Sequence, residues 1–353
     1  MPTQIGLDIG TNAVRAAQVS TNRAGEATLE ELGQVILPPG AVRDGEVVDP
    51  PTVADSLKTL WSDRGFRGRK VAVGVANQQV VTRLVDLPSV SDEELAEAVP
   101  LQAGEHVPIP LESATLDWTV LEHFADGEGN ELVRLALVAA HRDMVDRLLQ
   151  ALRLARLDPV VLDLDAFALL RALRDDQPDD DHGAAMLVDV GSAITDIIVH
   201  EHGAPRFVRE LTMGAGRITD ALISQLALRH DEAERTKALA GCSGGPPPQG
   251  ISPEAARIVH DRARTLVDEV RGSLEYYRAQ DHSVPVTRAT LTGGGAQLAG
   301  LAQLLAEALD LPVEPARPLT NLKVGRTGLA DEELEEAEPF LSVAIGLALA
   351  PTS

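Results

Sequence analysis

The chain has 353 residues, 44% of them hydrophobic and 3% aromatic, and a formal net charge of −23, so we expect two or more lobes with largely aliphatic cores. The negative charge argues against non-specific nucleic-acid binding and against electrostatic adhesion to anionic lipid, because both require basic surface. Cys242 is the only cysteine, which excludes an intrachain disulfide. The sequence starts without a signal peptide, and the apolar run Phe340–Ala350 is too short to span a bilayer, so we expect a cytoplasmic protein.

The first predicted element is a strand, tight turn and strand over residues 5–15, IGLDIGTNAVR. The first apolar run ends at Asp8, and Gly10 and the hydroxyl residue Thr11 follow. Glycine permits a tight turn, and the turn N–H groups and the hydroxyl can donate to phosphate oxygens. A carboxylate at the strand end can hold a hydrated Mg²⁺. Considered alone, the segment is equally typical of a solvated surface hairpin.

Residues 89–158 form a distinct block that predicts an inserted subdomain. Ser91 and Glu94 have the spacing of a capping box and predict the start of its first helix. Two paired strands follow, and an amphipathic helix is predicted over His141–Leu157. The acidic, proline-containing stretch Asp175–His182 then predicts a loop that leads into the next lobe.

Residues 186–196, MLVDVGSAITD, repeat the pattern of the first hairpin. The strand-terminal carboxylate, the turn glycine and the hydroxyl residue all recur, as the aligned pairs Asp8 and Asp189, Gly10 and Gly191, and Thr11 and Ser192. Two copies in one chain favour two related lobes that close on one polyphosphate, and they do so more strongly than either copy alone.

A third segment, ATLTGGGAQL at residues 289–298, runs from a short strand through Gly293, Gly294 and Gly295. A helix is predicted to follow at once, over Leu298–Leu309. Unblocked backbone N–H groups at a helix N-terminus favour an anion. Considered alone, the segment is also compatible with a flexible turn.

The two hairpins and the glycine turn, in this order, resemble the actin-like ATPase superfamily, which includes actin, chaperone ATPases, sugar kinases and the division protein FtsA. Further stretches resemble the PilM family, the actin-like proteins of the type IV pilus inner-membrane platform. These stretches are EELAEAV at residues 93–99, EHVPIPLE at 105–112, the helix Arg271–Gln280 and FLSVAIGLAL at 340–349. The resemblance covers nearly the whole chain, and its insert and C-terminal stretch are the parts that distinguish PilM.

The resemblance implies an α/β, actin-like (ribonuclease H-like) two-lobed fold with an FtsA/PilM-type inserted subdomain. The predicted divisions are a first lobe at residues 1–88, the inserted subdomain at 89–158, a return to the first lobe with a linker at 159–183, a second lobe at 184–339 and a C-terminal helix at 340–353. The first lobe would carry one phosphate hairpin, and the second lobe would carry the other hairpin and the glycine turn.

The resemblance also implies a site for ATP and Mg²⁺ between the lobes. Asp8 and Asp189 would lie at the Mg²⁺, mostly through water, although turn capping is an alternative role for both side chains. The residues implied to bind the nucleotide are Asp8, Gly10, Thr11, Asn12, Arg15, Asp189, Gly191, Ser192, Thr195, Gly214, Gly216, Arg217, Glu234, Lys237, Gly293, Gly294 and Gly295.

Several of these assignments have structural alternatives. Arg15 stands where the family usually has Lys, and its guanidinium is a poorer point charge but a good bidentate phosphate ligand. Thr195 can equally serve strand pairing, and the stretch 214–217 can be an ordinary loop. Glu234 and Lys237 match a Glu-x-x-Lys pair that flanks the adenosine in the family, or they form a surface pair three residues apart.

The function implied by the resemblance is an ATP-binding scaffold with at most slow ATPase activity. It would bind the N-terminal cytoplasmic tail of a PilN-like bitopic membrane protein, in a groove between the insert and the first lobe, and so be recruited to the inner face of the cytoplasmic membrane. Self-association and contact with pilus motor ATPases stay open as further interactions. Neither nucleic-acid binding nor direct membrane insertion is expected.

Two other functions stay open. A small-molecule kinase of the same fold would need a carboxylate base near a substrate hydroxyl, and the sequence has no sugar-kinase signature. An FtsA-like filament-forming division protein is expected to end in a basic amphipathic helix, and no Lys or Arg follows Arg326.

Overall fold

The computed structural model describes residues 3–173, 183–281 and 283–351. In chain order the strands are β1 (Thr3–Ile9), β2 (Ala13–Thr21), β3 (Ala27–Ile36), β4 (Val42–Arg43), β5 (Glu46–Val47), β6 (Lys70–Val75), β7 (Val80–Pro88), β8 (Ala114–Ala125), β9 (Glu131–His141), β10 (Asp158–Leu164), β11 (Ala184–Val190), β12 (Thr195–Glu201), β13 (Ala204–Leu211), β14 (Val286–Thr292), β15 (Val313–Pro315) and β16 (Lys323–Val324). The α-helices are α1 (Pro50–Arg64), α2 (Asp92–His106), α3 (Arg142–Leu154), α4 (Asp165–Ala172), α5 (Gly216–Leu226), α6 (His230–Ala240), α7 (Pro253–Arg278), α8 (Leu301–Leu309) and α9 (Asp331–Ala348). The predicted loop at 175–182 and the last two residues of the predicted C-terminal segment lie outside the described ranges.

The first lobe contains a six-stranded sheet in the order β10-β6-β1-β2-β3-β16. Strands β1, β2 and β3 form an antiparallel meander, whereas β6 is parallel to β1 and β10 is parallel to β6. Helices α1 and α3 cover one face, where Leu57 and Leu152 pack against Leu7 of β1. The Asp49 side chain caps the N-terminus of α1, and Gly65 ends that helix with φ +68°, as capping preferences predict.

The second lobe contains a five-stranded sheet in the order β13-β12-β11-β14-β15. Its first three strands also form an antiparallel meander, and the last two are also added in parallel. Apart from the additional edge strand β16, which is parallel to β3, the two sheets therefore have the same spatial order and the same strand directions. Helices α5, α7 and α8 pack Leu222, Leu266 and Leu305 onto this sheet. The repeated hairpins of the sequence thus begin two lobes with the same topology.

A separate three-stranded sheet has the order β7-β9-β8. Helix α2 packs Leu95 and Val99 against Leu135 and Leu137 of this sheet. The sheet includes β7, which the predicted boundary at residue 88 had assigned to the first lobe. Pro88 suggested that boundary, but Pro88 is the last residue of β7, and β7 pairs with β9 along its whole length.

Helix α3 also differs from the predicted division of the chain. It was expected to belong to the inserted block, but its apolar face joins the core of the first lobe, where Met144 and Leu148 lie among residues of α1 and β1. The sequence pattern shows correctly that this helix is amphipathic. It does not show which surface the apolar face covers.

Helices α4 and α9 lie between the two sheets. Leu169 of α4 and Leu347 of α9 share a core cluster with Ala72 of the first sheet and Leu187 of the second. A Cβ at Gly346 would clash with the backbone of α4, so this glycine permits the close crossing of the two helices. Helix α9 begins at Asp331, nine residues before the predicted start at 340, because the acidic stretch before Pro339 is also helical. Across the described residues, no helix combines the length and apolarity that a membrane span requires.

Candidate functional site

A cavity of about 360 Å³ lies between the lobes. Both hairpin turns, the glycine turn, α6 and α9 contribute to its wall. Of the residues predicted to bind nucleotide, those that line it are Asp8, Gly10, Thr11, Asn12, Arg15, Asp189, Gly191, Ser192, Gly216, Glu234, Lys237, Gly293, Gly294 and Gly295. The structure therefore brings most of the predicted site residues to one place, although they come from segments nearly 300 positions apart.

The two hairpin turns have the same backbone hydrogen bond. Gly10 N–H donates to Ala13 O at 3.0 Å, and Gly191 N–H donates to Ile194 O at 2.9 Å. Each turn follows a strand with a carboxylate two residues before the glycine. The hairpins thus present equivalent turns to the cavity from opposite lobes, as the sequence repeat predicts.

The hairpins differ in the residue that faces the carboxylate across the strands. In the first hairpin Asp8 is opposite Arg15, and Arg15 Nη1 lies 3.2 Å from Asp8 Oδ2. In the second hairpin Asp189 is opposite Asp196. The first lobe therefore contributes a paired carboxylate to the cavity, whereas the second contributes two carboxylates on neighbouring strands.

Three predicted site residues lie beside the cavity and do not line it. Thr195 is fully buried, and its Oγ1 donates to Met213 O at 2.7 Å. Gly214 packs so closely on the second hairpin that a Cβ would lie 2.5 Å from Gly191 O. Arg217 is exposed and reaches Thr212 O at 3.5 Å. Thr195 and Gly214 thus hold the segment before α5 against the second turn.

That segment places Gly216 at the cavity. Ala215 N–H donates to Gly191 O at 2.9 Å, and Gly216 N–H donates to Ser192 O at 2.8 Å. A Cβ at Gly216 would lie 2.8 Å from Ser192 Oγ. A larger residue would therefore displace the hydroxyl that faces the cavity.

The glycine turn is a short 3-10 turn and does not lead directly into an α-helix. The 3-10 turn spans Gly294–Gln297, and α8 begins only at Leu301, so the predicted helix start at 298 was wrong. Gly300, in a left-handed conformation with φ +90°, separates the two elements. The turn cannot use the N-terminus of α8 to bind an anion, and its own backbone faces the cavity instead.

Close packing explains why the turn is made of glycine. Gly293 has φ +86°, and a Cβ there would clash with Asp189 Oδ1. A Cβ at Gly295 would clash with the side chain of Val190. The Gly293 N–H donates to Pro339 O at 2.9 Å. The turn is thus fixed between the second hairpin and α9.

Glu234 and Lys237 lie at another part of the cavity wall and share a polar contact with α5. Lys237 Nζ lies 2.8 Å from Glu234 Oε2 and donates to Thr219 Oγ1 at 2.8 Å. Burial raises the pKa of the Glu234 carboxyl, but the hydrogen bonds from Lys237 and Thr219, together with the charges of Lys237 and His230, outweigh burial and lower that pKa. The pair is therefore held by a buried threonine and is more than an ordinary surface ion pair.

Carboxyl groups dominate the electrostatics of the cavity. Burial is the largest cause that raises the pKa of Asp189, to about 7, and the charge of Asp8 adds to it while Arg15 opposes it. Burial also raises the pKa of Asp8, against the influence of Arg15. The pKa values of Asp165 and Asp196 are raised well above their ordinary range, first by burial and then by neighbouring carboxylates. A cation at this place would relieve the mutual repulsion.

Two further buried carboxyl groups, those of Asp165 and Glu210, were not predicted from the sequence. Asp165 is the first residue of α4 and lines the cavity. Glu210 lies on β13, where burial and then Asp165 raise the pKa of its carboxyl, and the backbone N–H of Asn77 lowers it. No local motif marks either residue. A polar side chain at the point where an apolar strand passes into an apolar helix was the available signal for Asp165.

The residues fit a hydrated Mg²⁺ that is shared with phosphates. Asp165 Oδ1 and Asp196 Oδ1 are buried and have no hydrogen-bond partner, so both can accept from metal-bound water. Within residues 3–173, 183–281 and 283–351, no group of three or more His, Cys, Asp or Glu side chains is arranged to bind a metal ion by itself. The donor set therefore suits a cation held by water, phosphate oxygens and few carboxylates, and it does not form an all-protein cage.

Solved structures of other proteins have the same fold. A chain of the PilM-PilN type IV pilus biogenesis complex matches with a TM-score of 0.86 and 30% identity, over 98% of this chain and 97% of that chain. MreB5 of Spiroplasma citri bound to ADP matches with a TM-score of 0.53 and 14% identity, over 99% and 96% of the chains, which shows the fold alone. The predicted actin-like, two-lobed fold with an inserted subdomain is confirmed.

Proteins with similar sequences also belong to the actin-like branch that contains FtsA. The cell division protein FtsA of Pseudomonas aeruginosa is 24% identical over 97% of this chain and 88% of its own length, and FtsA of Bacillus subtilis is 24% identical over 89% and 78%. The family model for the type IV pilus assembly protein PilM matches residues 6–352. Because this match spans almost the entire sequence, the chain belongs to the PilM family of type IV pilus assembly proteins.

Proposed function

We propose that the chain is an ATP-binding, actin-like scaffold of type IV pilus assembly, and that it binds the N-terminal cytoplasmic tail of a PilN-like membrane protein. Recruitment to the inner face of the cytoplasmic membrane would follow from that binding. The observation that carries the proposal is the match over 97% of the PilM-PilN complex chain at 30% identity. The cavity between the lobes supplies the reason for expecting nucleotide.

The nucleotide half of the proposal is supported by how the cavity is built. The turns at Gly10 and Gly191 offer backbone N–H groups and the hydroxyls of Thr11 and Ser192 from two sides, which suits a polyphosphate. The carboxylates at the strand ends suit Mg²⁺, whose charge would stabilise the phosphates when bound. Lys237, at the α6 part of the wall, suits the adenosine end.

The partner half is supported by a second cavity, of about 320 Å³. It lies between the β4–β5 hairpin, the turn at 77–79 and α3, on the first lobe and directly before the start of β7 in the three-stranded sheet. Its wall includes Val48, which is 47% exposed, and Arg147. We propose that the tail of the PilN-like protein binds in this groove, through an apolar side chain against Val48.

A bound nucleotide can control the partner only through different affinities for two arrangements of the lobes. The two cavities have the β4–β5 hairpin and the segment after β6 as common walls. Gly45 and Ala76 line the first cavity, and their chain neighbours Asp44 and Asn77 line the second. A change in lobe closure would therefore move the wall of the groove. We expect Mg·ATP to change the affinity for the tail, and hydrolysis to be slow.

The test is fluorescence anisotropy with a labelled peptide of the PilN-like N-terminal tail from the same organism, without nucleotide and with Mg·ADP or Mg·ATP. The wild-type chain is expected to bind, and the Val48→Asp variant is expected to lose about tenfold or more in affinity. Val324→Asp is the matched control, because Val324 is 45% exposed on the short edge strand β16. Failure to bind the peptide in every nucleotide condition would refute the proposal.

A further inference from the structure

The ring of Phe340 covers the guanidinium of Arg15 inside the cleft. The Arg15 Cζ atom lies 5.7 Å from the centre of the ring, within the range of a cation–π contact. The Arg15 side chain is only 15% exposed, so water screens this contact weakly. Phe340 thus supplies a face on which a planar guanidinium can rest.

Arg15 has donor capacity left after its contacts within the chain. One guanidinium nitrogen, Nη1, donates to Asp8 Oδ2 at 3.2 Å. The Nε–H is buried and has no hydrogen-bond partner. A buried donor without an acceptor is costly, and an incoming anionic oxygen would relieve that cost. The contacts with Asp8 and with the Phe340 ring fix the orientation of the guanidinium, and they leave N–H donors for a ligand.

Phe340 belongs to α9, which is attached to the glycine turn of the second lobe. A Cβ built on Gly294 would lie 3.7 Å from the Phe340 ring. The preceding residue, Pro339, accepts hydrogen bonds from Gly293 N–H at 2.9 Å and from Thr292 Oγ1 at 3.2 Å. One aromatic ring is therefore in contact with the turn of one lobe and the arginine of the other.

The position of Arg15 indicates which part of a nucleotide it would meet. Glu234, Lys237 and the glycine turn all belong to the second lobe, whereas Arg15 and Gly10 belong to the first. A nucleotide with its adenosine against α6 would reach the first lobe with its distal phosphates. In that orientation Arg15 would meet the terminal phosphate of ATP, which ADP does not have.

We propose that Phe340 is a positioning residue that holds the Arg15 guanidinium for the terminal phosphate, and that this pair makes the cleft discriminate ATP from ADP. The inference rests on the proposed nucleotide binding and adds the side-chain pair that determines phosphate-number specificity. It also accounts for Arg at a position where Lys would serve as a point charge, because the planar guanidinium stacks on an aromatic face while it keeps in-plane donors.

The experiment measures dissociation constants for Mg·ATP and Mg·ADP by titration calorimetry. Phe340→Leu is expected to weaken Mg·ATP binding by about two- to thirty-fold and to change Mg·ADP binding by less than about twofold. Phe340→Trp is expected to keep the wild-type ratio of the Mg·ADP and Mg·ATP dissociation constants, because Trp offers the strongest cation–π face. The matched control is Phe124→Leu, which removes a ring 4.8 Å from Arg134 Cζ in the three-stranded sheet.

Two further measurements separate positioning from a structural role. In an Arg15→Met background, Phe340→Leu should cause no additional loss of ATP affinity, since Phe340 acts through Arg15. Phenylalanines with one, two and three ring fluorines at position 340 keep the shape but weaken the ring quadrupole. They should lower the preference for ATP stepwise, and they provide the test if the leucine variant does not fold.

Equal losses for ATP and ADP, an undiminished effect of Phe340→Leu in the Arg15→Met background, or no response to fluorination would each overturn the inference. A wild-type chain that binds neither nucleotide would instead refute the proposed function on which the inference rests. The two failures are therefore distinguishable in the same set of titrations.

Discussion

Glu122 of β8 and Arg206 of β13 form an ion pair that joins the three-stranded sheet to the second lobe. The same Glu122 Oε1 lies 2.9 Å from Arg134 Nη1, and Arg206 Nη2 lies 2.9 Å from Glu201 Oε2. Arg134 in turn donates from Nε and Nη2 to Asp86 at 2.7 and 2.8 Å. One carboxylate therefore lies between two arginines, at a junction where main-chain pairing between the sheets is absent in the described residues.

Substitution of Glu122 by Gln should lower the free energy of unfolding by about 1 to 3 kcal/mol, because both arginines lose a charged acceptor in a partly buried position. Urea unfolding of the wild-type chain and the variant measures the difference. High salt should reduce it, since the pairs remain partly accessible to solvent.

The exposed pair Asp55–Lys58 in α1 is the control for this prediction. Its side chains are 77% and 52% exposed, so Asp55→Asn should cost about 0.5 kcal/mol or less. A Glu122→Gln effect no larger than that of Asp55→Asn would mean that the ion pairs at the junction do not hold the subdomain in place.

The glycine turn offers a second prediction. Gly293→Ala should destabilise the protein by about 2 kcal/mol or more, because alanine disfavours φ +86° and its Cβ would clash with Asp189 Oδ1. The same change should weaken Mg·ATP binding, since relief of the clash moves the carboxylate. Thermal unfolding and titration calorimetry provide the two measurements.

Gly272→Ala is the matched control for the glycine turn. Gly272 is exposed within α7, and a Cβ there would meet no atom within 4 Å. Alanine is the better helix former, so this change should stabilise the protein by about 0.5 to 1 kcal/mol. If both substitutions had the same effect, the turn would not require glycine.

Local patterns allowed the two hairpins and the glycine turn to be predicted. A turn glycine, a hydroxyl residue and a strand-terminal carboxylate are neighbours in the sequence, and the repeat at Asp8 and Asp189 gives the symmetry of the two sheets. Resemblance to a family then placed Glu234 and Lys237, whose role no local rule assigns. The structure puts these residues around one cavity.

Long-range packing could not be predicted in the same way. Glu210 faces the first lobe because β13 is the edge strand of the second sheet, and Phe340 meets Arg15 only because α9 passes between the sheets. The error at the glycine turn has a similar origin. Gly300 separates the 3-10 turn from α8, and the apolar period of the sequence continues through that break.

The raised pKa of Asp189 predicts a stability that depends on pH. The folded-state pKa is about 7, above the ordinary value of 3.8, so the folded chain binds a proton that the unfolded chain has released. The contribution of protonated Asp189 to the free energy of unfolding is complete below pH 3.8 and is lost as the pH rises through about 7. The raised pKa values of Asp165, Asp196 and Glu210 act in the same direction.

Urea unfolding in EDTA, without nucleotide, should therefore show a free energy of unfolding that decreases between pH 5 and pH 8. Asp189→Asn should flatten this slope and should stabilise the nucleotide-free chain at pH 8 by about 1 to 3 kcal/mol. This range is smaller than the free energy that corresponds to the whole pKa shift, because the side chain is partly open to the cleft and solvent screens its charge. The exposed Asp55→Asn variant should keep the wild-type slope. An Asp189→Asn profile as steep as that of the wild type would contradict the assignment.

The last prediction concerns the two ends of the nucleotide. Lys237 is 15% exposed and is held by Glu234 and Thr219, so Lys237→Met should remove a contact made by ATP and ADP alike. Both affinities are expected to fall by about ten- to a hundred-fold, since a hydrogen bond from a charged group contributes about 1.5 to 3 kcal/mol. Arg15→Met, in contrast, should weaken ATP binding far more than ADP binding. Calorimetry on the two variants measures both ratios, and a Lys237→Met loss confined to ATP would show that the adenosine does not lie against α6.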